Sequence, residues 1–243
     1  MKKFLFLFSL TIFGYLVAQK QLHIQYLNVR STVANVYEDL YTDGKNVLSK
    51  QDGNIMWTNP AFDKKKKGMD QYYISNLSTE ERNFFFTTQL DNVGDYFVYD
   101  KVPQIKWLID KETTKKILGY KCFKATSIFR GSPITAYFTE EIPYSVGPFK
   151  FFGLPGAILD VRVDDKNYDL WKAVKVDLYD ATNIDFNPKF PEFRKINMED
   201  FVKLKDKVYS SNQSTVPGSI SKTVSVRLGV EKTFEWETQP PIR

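Results

Sequence analysis

The sequence is poor in the residues that most often carry catalysis and metal binding. It contains one cysteine, Cys122, and one histidine, His23. A single cysteine excludes an internal disulfide, and one cysteine with one histidine falls short of a zinc site. A histidine-dependent nucleophile would have to use His23, which the strand pattern LHIQYL places on a solvent-side face. Phosphate-loop, dinucleotide-binding and G-x-S-x-G motifs are also missing, so we predict no catalytic residue, no metal and no cofactor.

An excess of charge of one sign is missing as well. The formal charge is +5, and it falls to +3 when Lys2 and Lys3 are removed with the N-terminal segment. This small excess is spread along the chain, whereas nucleic-acid-binding domains concentrate basic residues on one face. We therefore expect no nucleic-acid partner.

The only long hydrophobic run is at the N-terminus, in MKKFLFLFSLTIFGYLVAQ. Two lysines, an apolar segment and small Ala18 follow one another, as is typical of a secretory signal peptide. The apolar segment has roughly 14 residues, fewer than the ~20 that span a bilayer. We expect residues 1–18 to be cleaved, leaving no transmembrane segment and no cysteine for a lipid anchor. Residues 19–243 then form one exported domain, periplasmic or associated with the outer membrane but not a lipoprotein.

Short strands joined by tight turns fill most of the chain. Segments rich in aromatic and β-branched residues alternate with turn signals, and no helical pattern of ~10–15 residues separates them in the middle of the sequence. This organisation predicts a mainly β fold with an antiparallel curved sheet or half-barrel. The predicted hairpin turns are Asp43-Gly44, 91–94, 111–114, 130–133 and 164–167.

One helix is predicted late in the chain, in INMEDFVKLKDKVYSS. Asn197 is a suitable N-cap, and Phe201, Leu204 and Val208 form a one-sided apolar stripe. We expect this helix to pack on the sheet. Residues 212–243 then form either a last strand or a loosely held tail.

The stretch FKFFGLPGAILDVRV combines a turn with a strand. Pro155 and Gly156 suit the two central positions of a type II turn, with Gly156 at positive φ, and Gly153 allows close backbone approach. In the following strand the odd-numbered residues from Ala157 to Val163 should face the core. The turn is either structural or a contact for a partner or ligand, for which the candidate residues are Phe149, Phe151, Phe152, Gly153, Leu154, Pro155 and Gly156.

The same stretch resembles the signature of the GLPGLI family, which comprises exported Bacteroidota proteins of unknown function. Residues 105–126, 134–143 and 146–161 are similar to consecutive blocks of that family in order and spacing. Ala157 stands where the family motif has leucine, so a neighbouring side chain must fill the missing volume.

The resemblance implies an uncharacterised envelope protein without a known catalytic residue. It also implies an accessory role beside a TonB-dependent outer-membrane receptor, because family members are often encoded near such receptors. Envelope half-barrel carriers of lipoproteins show a similar strand pattern, so a lipid or peptide ligand is a second possible partner.

Two other functions remain open at this point. Asp160 lies near the motif and is the carboxylate best suited to a hydrolase, which needs a second carboxyl group within about 10 Å. Alternatively, the aromatic segments NFFF, QYYI and FKFF simply fill the core of a structural β protein. Our leading hypothesis is non-enzymatic binding of an outer-membrane partner or an apolar ligand.

Overall fold

The structure is a computed structural model, and it describes residues 20–59, 67–78, 80–211, 227 and 229–237. The predicted signal peptide, residues 1–18, and most of the predicted tail, 212–243, lie outside the described residues. No helix within the described ranges is long and apolar enough to cross a membrane.

Thirteen strands and one helix make up the described fold, which is mainly β as predicted. The strands are β1 (Gln21–Val29), β2 (Ala34–Thr42), β3 (Asn46–Gln51), β4 (Met56–Trp57), β5 (Gln71–Asn76), β6 (Arg82–Leu90), β7 (Gly94–Val102), β8 (Leu108–Ile117), β9 (Tyr120–Phe129), β10 (Ser132–Thr139), β11 (Ala157–Val163), β12 (Leu170–Asp180) and β13 (Arg194–Asn197). The helix α1 spans Met198–Ser211.

The strands form one open sheet in the order β13-β7-β6-β5-β3-β2-β1-β12-β11-β10-β9-β8, with β4 paired to β2 off this path. Neighbouring strands are antiparallel, with one exception at the edge, where β13 runs parallel to β7. Since β1 pairs with β12, the first and last long strands meet at the centre of the sheet. This pairing brings residues far apart in the sequence onto one face.

Most predicted turns lie where the sequence placed them, and one was wrong. The structure places the β8–β9 turn at Leu118 and Gly119, which both have positive φ, and not at 111–114. At that position β8 carries a bulge between Asp110 and Thr114. The Asp110 carboxylate accepts hydrogen bonds from the backbone N–H groups of Glu112 and Thr113, so the polar segment is satisfied without reversing the chain.

Helix α1 begins as predicted and packs on the sheet. The side chain of Asn197 accepts a hydrogen bond from the Asp200 N–H at 2.8 Å, which caps the first turn. Phe201 is buried, and Leu204 and Val208 pack beside it against β6 and β7 side chains. Residues 229–237 form no strand, but two of their side chains are buried. Val230 packs into the main core of the sheet, and Phe234 packs with the residues of α1.

The core lies on both sides of β11. Its odd-numbered residues from Ala157 to Val163 are buried as predicted. Two even-numbered residues, Ile158 and Asp160, are buried too, because the strand lies inside the sheet and both its faces are covered. Cys122 is fully buried among apolar neighbours, and burial raises the pKa of its thiol to about 11.

Candidate functional site

The Gly-Leu-Pro-Gly segment forms the loop between β10 and β11, and the structure divides the seven candidate contact residues into two groups. Phe151, Phe152, Leu154 and Gly156 are buried in the core. Phe149 and Gly153 are half-buried, and Pro155 is exposed. Only the second group is therefore accessible to a ligand or partner in this conformation.

The two glycines of this loop have the opposite roles to those predicted. Gly153, not Gly156, has positive φ, at 94°, and its N–H donates to the Ser145 hydroxyl at 2.8 Å. Gly156 is needed because its backbone approaches β10 closely: a Cβ atom there would collide with the carbonyl oxygen of Thr139. The type II assignment with positive φ at Gly156 was therefore wrong.

Phe149 occupies a backbone conformation that aromatic residues rarely adopt. Its φ is 55°, in the left-handed region. The ring is held by aromatic neighbours on both sides: Trp171 is stacked at a centroid distance of 5.8 Å, and Tyr73 makes an edge contact at 5.5 Å. Such strain persists only where surrounding contacts fix the residue, and it concentrates at functional sites.

The main polar contact of Phe149 is Glu38, a fully buried carboxylate on β2. The Phe149 N–H donates to Glu38 Oε1 at 2.7 Å. Three side chains donate to the same carboxylate: Ser49, Gln51 and the Trp171 indole. Burial raises the pKa of Glu38, although these hydrogen bonds oppose that effect. Glu38 thus connects β2, β3 and β12 with the β10–β11 loop, residues 140–156, which we call the motif loop.

A cavity of about 250 Å³ lies beside Phe149, between one face of the sheet, helix α1 and the C-terminal segment. A smaller cavity of about 140 Å³ adjoins it, with Phe149, Tyr73, Thr88, Lys205 and Glu231 in both linings. We call the larger cavity the central cavity. Its lining consists of Asn28, Arg30, Gln51, Gln71, Tyr73, Thr88, Phe149, Asp169, Trp171, Lys205, Gly229, Val230 and Glu231.

The central cavity combines an aromatic wall with polar groups, the mixture that small-molecule sites use. Asn28 is 2% exposed, and its Oδ1 has no hydrogen-bond partner within the described part of the chain. Lys205 extends from α1, and burial lowers the pKa of its ammonium group. Asn28 thus lacks a hydrogen-bond donor for its Oδ1, and Lys205 lacks an ion-pair partner among the described residues.

A buried ionic cluster, whose Glu231 lines the cavity, attaches the C-terminal segment to the sheet. Asp100 on β7 makes a bidentate pair with Arg130, at 2.8 Å for both bonds, and accepts from Lys150 at 2.6 Å. Glu231 binds both cations, and Glu235 binds Arg130. Burial alone would raise the pKa of Asp100, but Lys150 and Arg130 outweigh it and lower that pKa to about 2.

Pro155 lies at a separate surface depression of about 410 Å³. Its lining consists of Leu77, Ser78, Pro143, Tyr144, Ser145, Leu154 and Pro155. Arg82 lies beneath it, with its guanidinium 4.4 Å from the centre of the Phe152 ring, and donates to the carbonyl oxygens of Ser78 and Ser145. At this depression the Gly-Leu-Pro-Gly turn itself reaches the surface.

Asp160 is buried and ion-paired instead of lying free in a cleft. Its Oδ2 accepts from Lys115 at 2.7 Å, and its Oδ1 lies 3.6 Å from Arg162. It lines neither the central cavity nor the Pro155 depression. Asp160 is 1% exposed, and its partner Lys115 lies on β8, three strands away in the sheet.

The predicted position of His23 was wrong. The side chain is 6% exposed and stacks on Tyr41 at 4.4 Å. Its Nε2 lies 2.8 Å from Asp39, and its Nδ1 lies 3.6 Å from Asp180. Because β1 is a central strand, its neighbours β2 and β12 supply both carboxylates and cover the ring. Within the described ranges, no three His, Cys, Asp or Glu side chains form a metal site.

Sequence reasoning missed Glu38, Asn28, Lys205 and the ionic cluster. Lys150 offered one signal, because a lysine inside the aromatic run FKFF is expensive to bury unless it is paired. The partners of Lys150 could not be identified, since Asp100 and Glu231 are 50 and 81 residues away in the chain.

Comparisons with known proteins add a family of unknown function and a fold. The model described as "Protein of unknown function (Porph_ging)" matches residues 128–160, which include Arg130, Lys150 and the motif loop. No curated protein matches the chain. Two structures of PNGF-II, in the C2 and P21 space groups, are similar with a TM-score of 0.51 and identities of 16% and 14%.

The PNGF-II alignment covers 77% of this chain and 33% of the PNGF-II chain, so the similar part spans about a third of the length of PNGF-II. At these identities the similarity shows a shared fold and nothing about activity. The chain is thus similar to a family of unknown function over residues 128–160, and it has the fold of one part of PNGF-II.

Proposed function

We propose that the chain is an exported envelope protein of the GLPGLI family that binds a ligand or partner without transforming it. Three observations support this proposal: the signal-peptide pattern of residues 1–18, the Gly-Leu-Pro-Gly blocks and the match over 128–160 to a family of unknown function. The role is that of an accessory or carrier to an outer-membrane partner, such as a TonB-dependent receptor.

The observation that carries the binding role is the central cavity beside Phe149. Its wall is fixed in place by the Glu38 hydrogen bond and by the stacked Trp171 ring. A rigid wall with unsatisfied polar groups suits binding, because little side-chain freedom is lost when the ligand enters. The amides and charges of the lining favour a polar ligand over the apolar one that the aromatic content of the sequence predicted.

The titratable carboxylates of the cavity support binding over hydrolysis. Asp169 is paired with Lys166 at 2.8 Å, and Glu231 is paired with Lys150 and Arg130. Both carboxylates already have cationic partners, which a general acid or base would have to leave to reach a substrate. Asp160, the candidate of the hydrolase alternative, is buried and ion-paired with Lys115 and does not line the cavity.

The test is an affinity purification of the tagged protein from its native envelope in mild detergent, with protein, lipid and small-molecule mass spectrometry on one eluate. We expect an N-terminus at Gln19 and either a stoichiometric outer-membrane protein or a retained small molecule. A protein that keeps residues 1–18, or one that elutes alone and empty, would contradict the proposal. The purified protein incubated with a hydrolase substrate panel serves as the activity control.

A further inference from the structure

Of the charged groups that line the central cavity, both carboxylates are ion-paired and two cations are not. Glu231 is bound by Lys150 and Arg130, and Asp169 by Lys166. Lys205 and Arg30 have no ion-pair partner within the described ranges, although both line the cavity. The described lining charges and the ions paired with them comprise five cations and four carboxylates, so the net charge at the cavity is positive.

Lys205 is left unpaired because its acidic neighbours are already bound to other cations. Glu231 binds the ionic cluster, and Asp206 forms an ion pair with Arg227 at 2.6 Å. An ammonium group that is partly removed from water without a counter-ion is costly, and an anionic ligand would offset this cost. Charge thus points to an anion at the α1 side of the cavity.

Asn28 adds a second requirement. It lies on β1 directly opposite Trp171 of β12, and its buried Oδ1 accepts no hydrogen bond from the described residues. An unsatisfied buried acceptor costs about 1–3 kcal/mol, so a ligand that donates to it gains from the interaction. A hydroxyl group is such a donor. An ammonium group would also donate, but the positive charge of Lys205 and Arg30 disfavours a cationic ligand.

We propose that the central cavity binds a small hydroxylated carboxylate, with its carboxylate at Lys205 and Arg30 and a hydroxyl donating to Asn28 Oδ1. The C–H face of the ligand packs on the aromatic wall of Phe149, Tyr73 and Trp171. The volume of about 250 Å³ suits a molecule of roughly the size of one sugar acid, at the small end of ligand cavities. This inference rests on the proposed binding role and specifies its ligand class.

The probe is D-glucuronate, titrated into the full chain by calorimetry, with D-glucose and L-serine as the uncharged and zwitterionic comparators. We expect saturable glucuronate binding and at least about tenfold weaker binding of both comparators. Raising the salt concentration should weaken glucuronate binding, since the ion pairs are screened.

Lys205→Met removes the charge and keeps the apolar stem, and we expect it to weaken glucuronate binding at least about tenfold. Lys203→Met is the matched control, because Lys203 is exposed on the same helix and pairs with Glu199 at 2.7 Å. Circular dichroism confirms that both variants are folded.

Three results would overturn the ligand class: no saturable glucuronate binding up to about 20 mM, glucose binding as tightly as glucuronate, or equal losses in the two lysine variants. Failure of this inference is distinguishable from failure of the proposed function. If glucuronate does not bind but the protein still retains an envelope partner or another molecule, only the ligand class is wrong.

Discussion

The backbone N–H of Phe149 and the carboxylate of Glu38 are joined by a 2.7 Å hydrogen bond across 111 residues of sequence. This bond connects the motif loop to a fully buried acid at the centre of the sheet. It fixes Phe149 in its left-handed conformation and thereby shapes the wall of the central cavity. The motif loop therefore supplies part of the cavity wall and is not an isolated turn.

Glu38→Gln should destabilise the protein. Each carboxylate oxygen of Glu38 accepts two hydrogen bonds, so an amide NH₂ at either position faces at least one buried N–H, of Phe149 or of Trp171, that cannot accept a hydrogen bond. We expect a loss of about 2–4 kcal/mol in the free energy of unfolding, measured by urea denaturation at pH 7.

Glu140→Gln is the matched control for that experiment, because Glu140 pairs with Lys111 on the surface. Its free energy of unfolding should change by less than about 0.5 kcal/mol. Equal effects of the two substitutions would show that the Glu38 network contributes nothing specific.

The ionic cluster predicts a defined acid sensitivity. The pKa of Asp100 is lowered from its usual 3.8 to about 2, so its contribution is fully present above the unfolded value and is lost as the pH falls through the folded value. For a fully buried group this shift corresponds to on the order of 2 kcal/mol. Urea denaturation at a series of pH values should show this loss between about pH 4 and pH 2.

Lys150→Met tests the assignment of that acid sensitivity to Asp100. Without the Lys150 charge the pKa of Asp100 rises, so the loss of stability should begin at a higher pH than in the unmodified protein. An unchanged pH profile would mean that other carboxylates dominate acid unfolding.

Gly156→Ala separates close packing from backbone strain. A Cβ at Gly156 would collide with the Thr139 carbonyl oxygen, whereas one at Gly119 meets nothing within 4 Å but requires positive φ. Gly119→Ala should therefore cost about 1 kcal/mol, and Gly156→Ala should cost more than about 3 kcal/mol or prevent folding. Thermal denaturation of both variants measures the difference, and a larger effect at Gly119 would contradict the packing account.

Cys122 should be unreactive in the native protein. Its side chain is fully buried and its pKa is raised to about 11, so almost no thiolate is accessible at pH 8. Ellman's reagent should label the protein stoichiometrically in guanidinium chloride and only through rare opening without it. Rapid labelling of the native protein would refute the described position of this strand.

The fold could largely be predicted from strand periodicity and turn chemistry, and the exceptions have physical causes. The segment 111–114 has a turn-like composition, but the Asp110 side chain satisfies it locally, and β8 continues to Ile117. His23 alternates with apolar residues, which predicts exposure on a one-sided sheet. It is buried because both neighbouring strands supply a carboxylate.

The candidate site was only partly predictable for a related reason. The loop from Phe149 to Gly156 was recognisable because its glycines and proline are adjacent in the sequence. Glu38, Asn28 and Lys205 carry no local pattern, and they become neighbours of Phe149 only through strand order and the packing of α1. Long-range placement of single polar residues does not follow from local composition.

Native mass spectrometry of the protein isolated from its native cells tests the central claim, ligand binding in the central cavity, most directly. We would compare the unmodified chain with Asn28→Leu and with Asn35→Leu. The Asn35 Oδ1 also has no hydrogen-bond partner among the described residues, but Asn35 does not line that cavity. The account predicts a bound small molecule on the unmodified protein and on Asn35→Leu, and its loss from Asn28→Leu. An empty unmodified protein, or a bound molecule unaffected by Asn28→Leu, would contradict it.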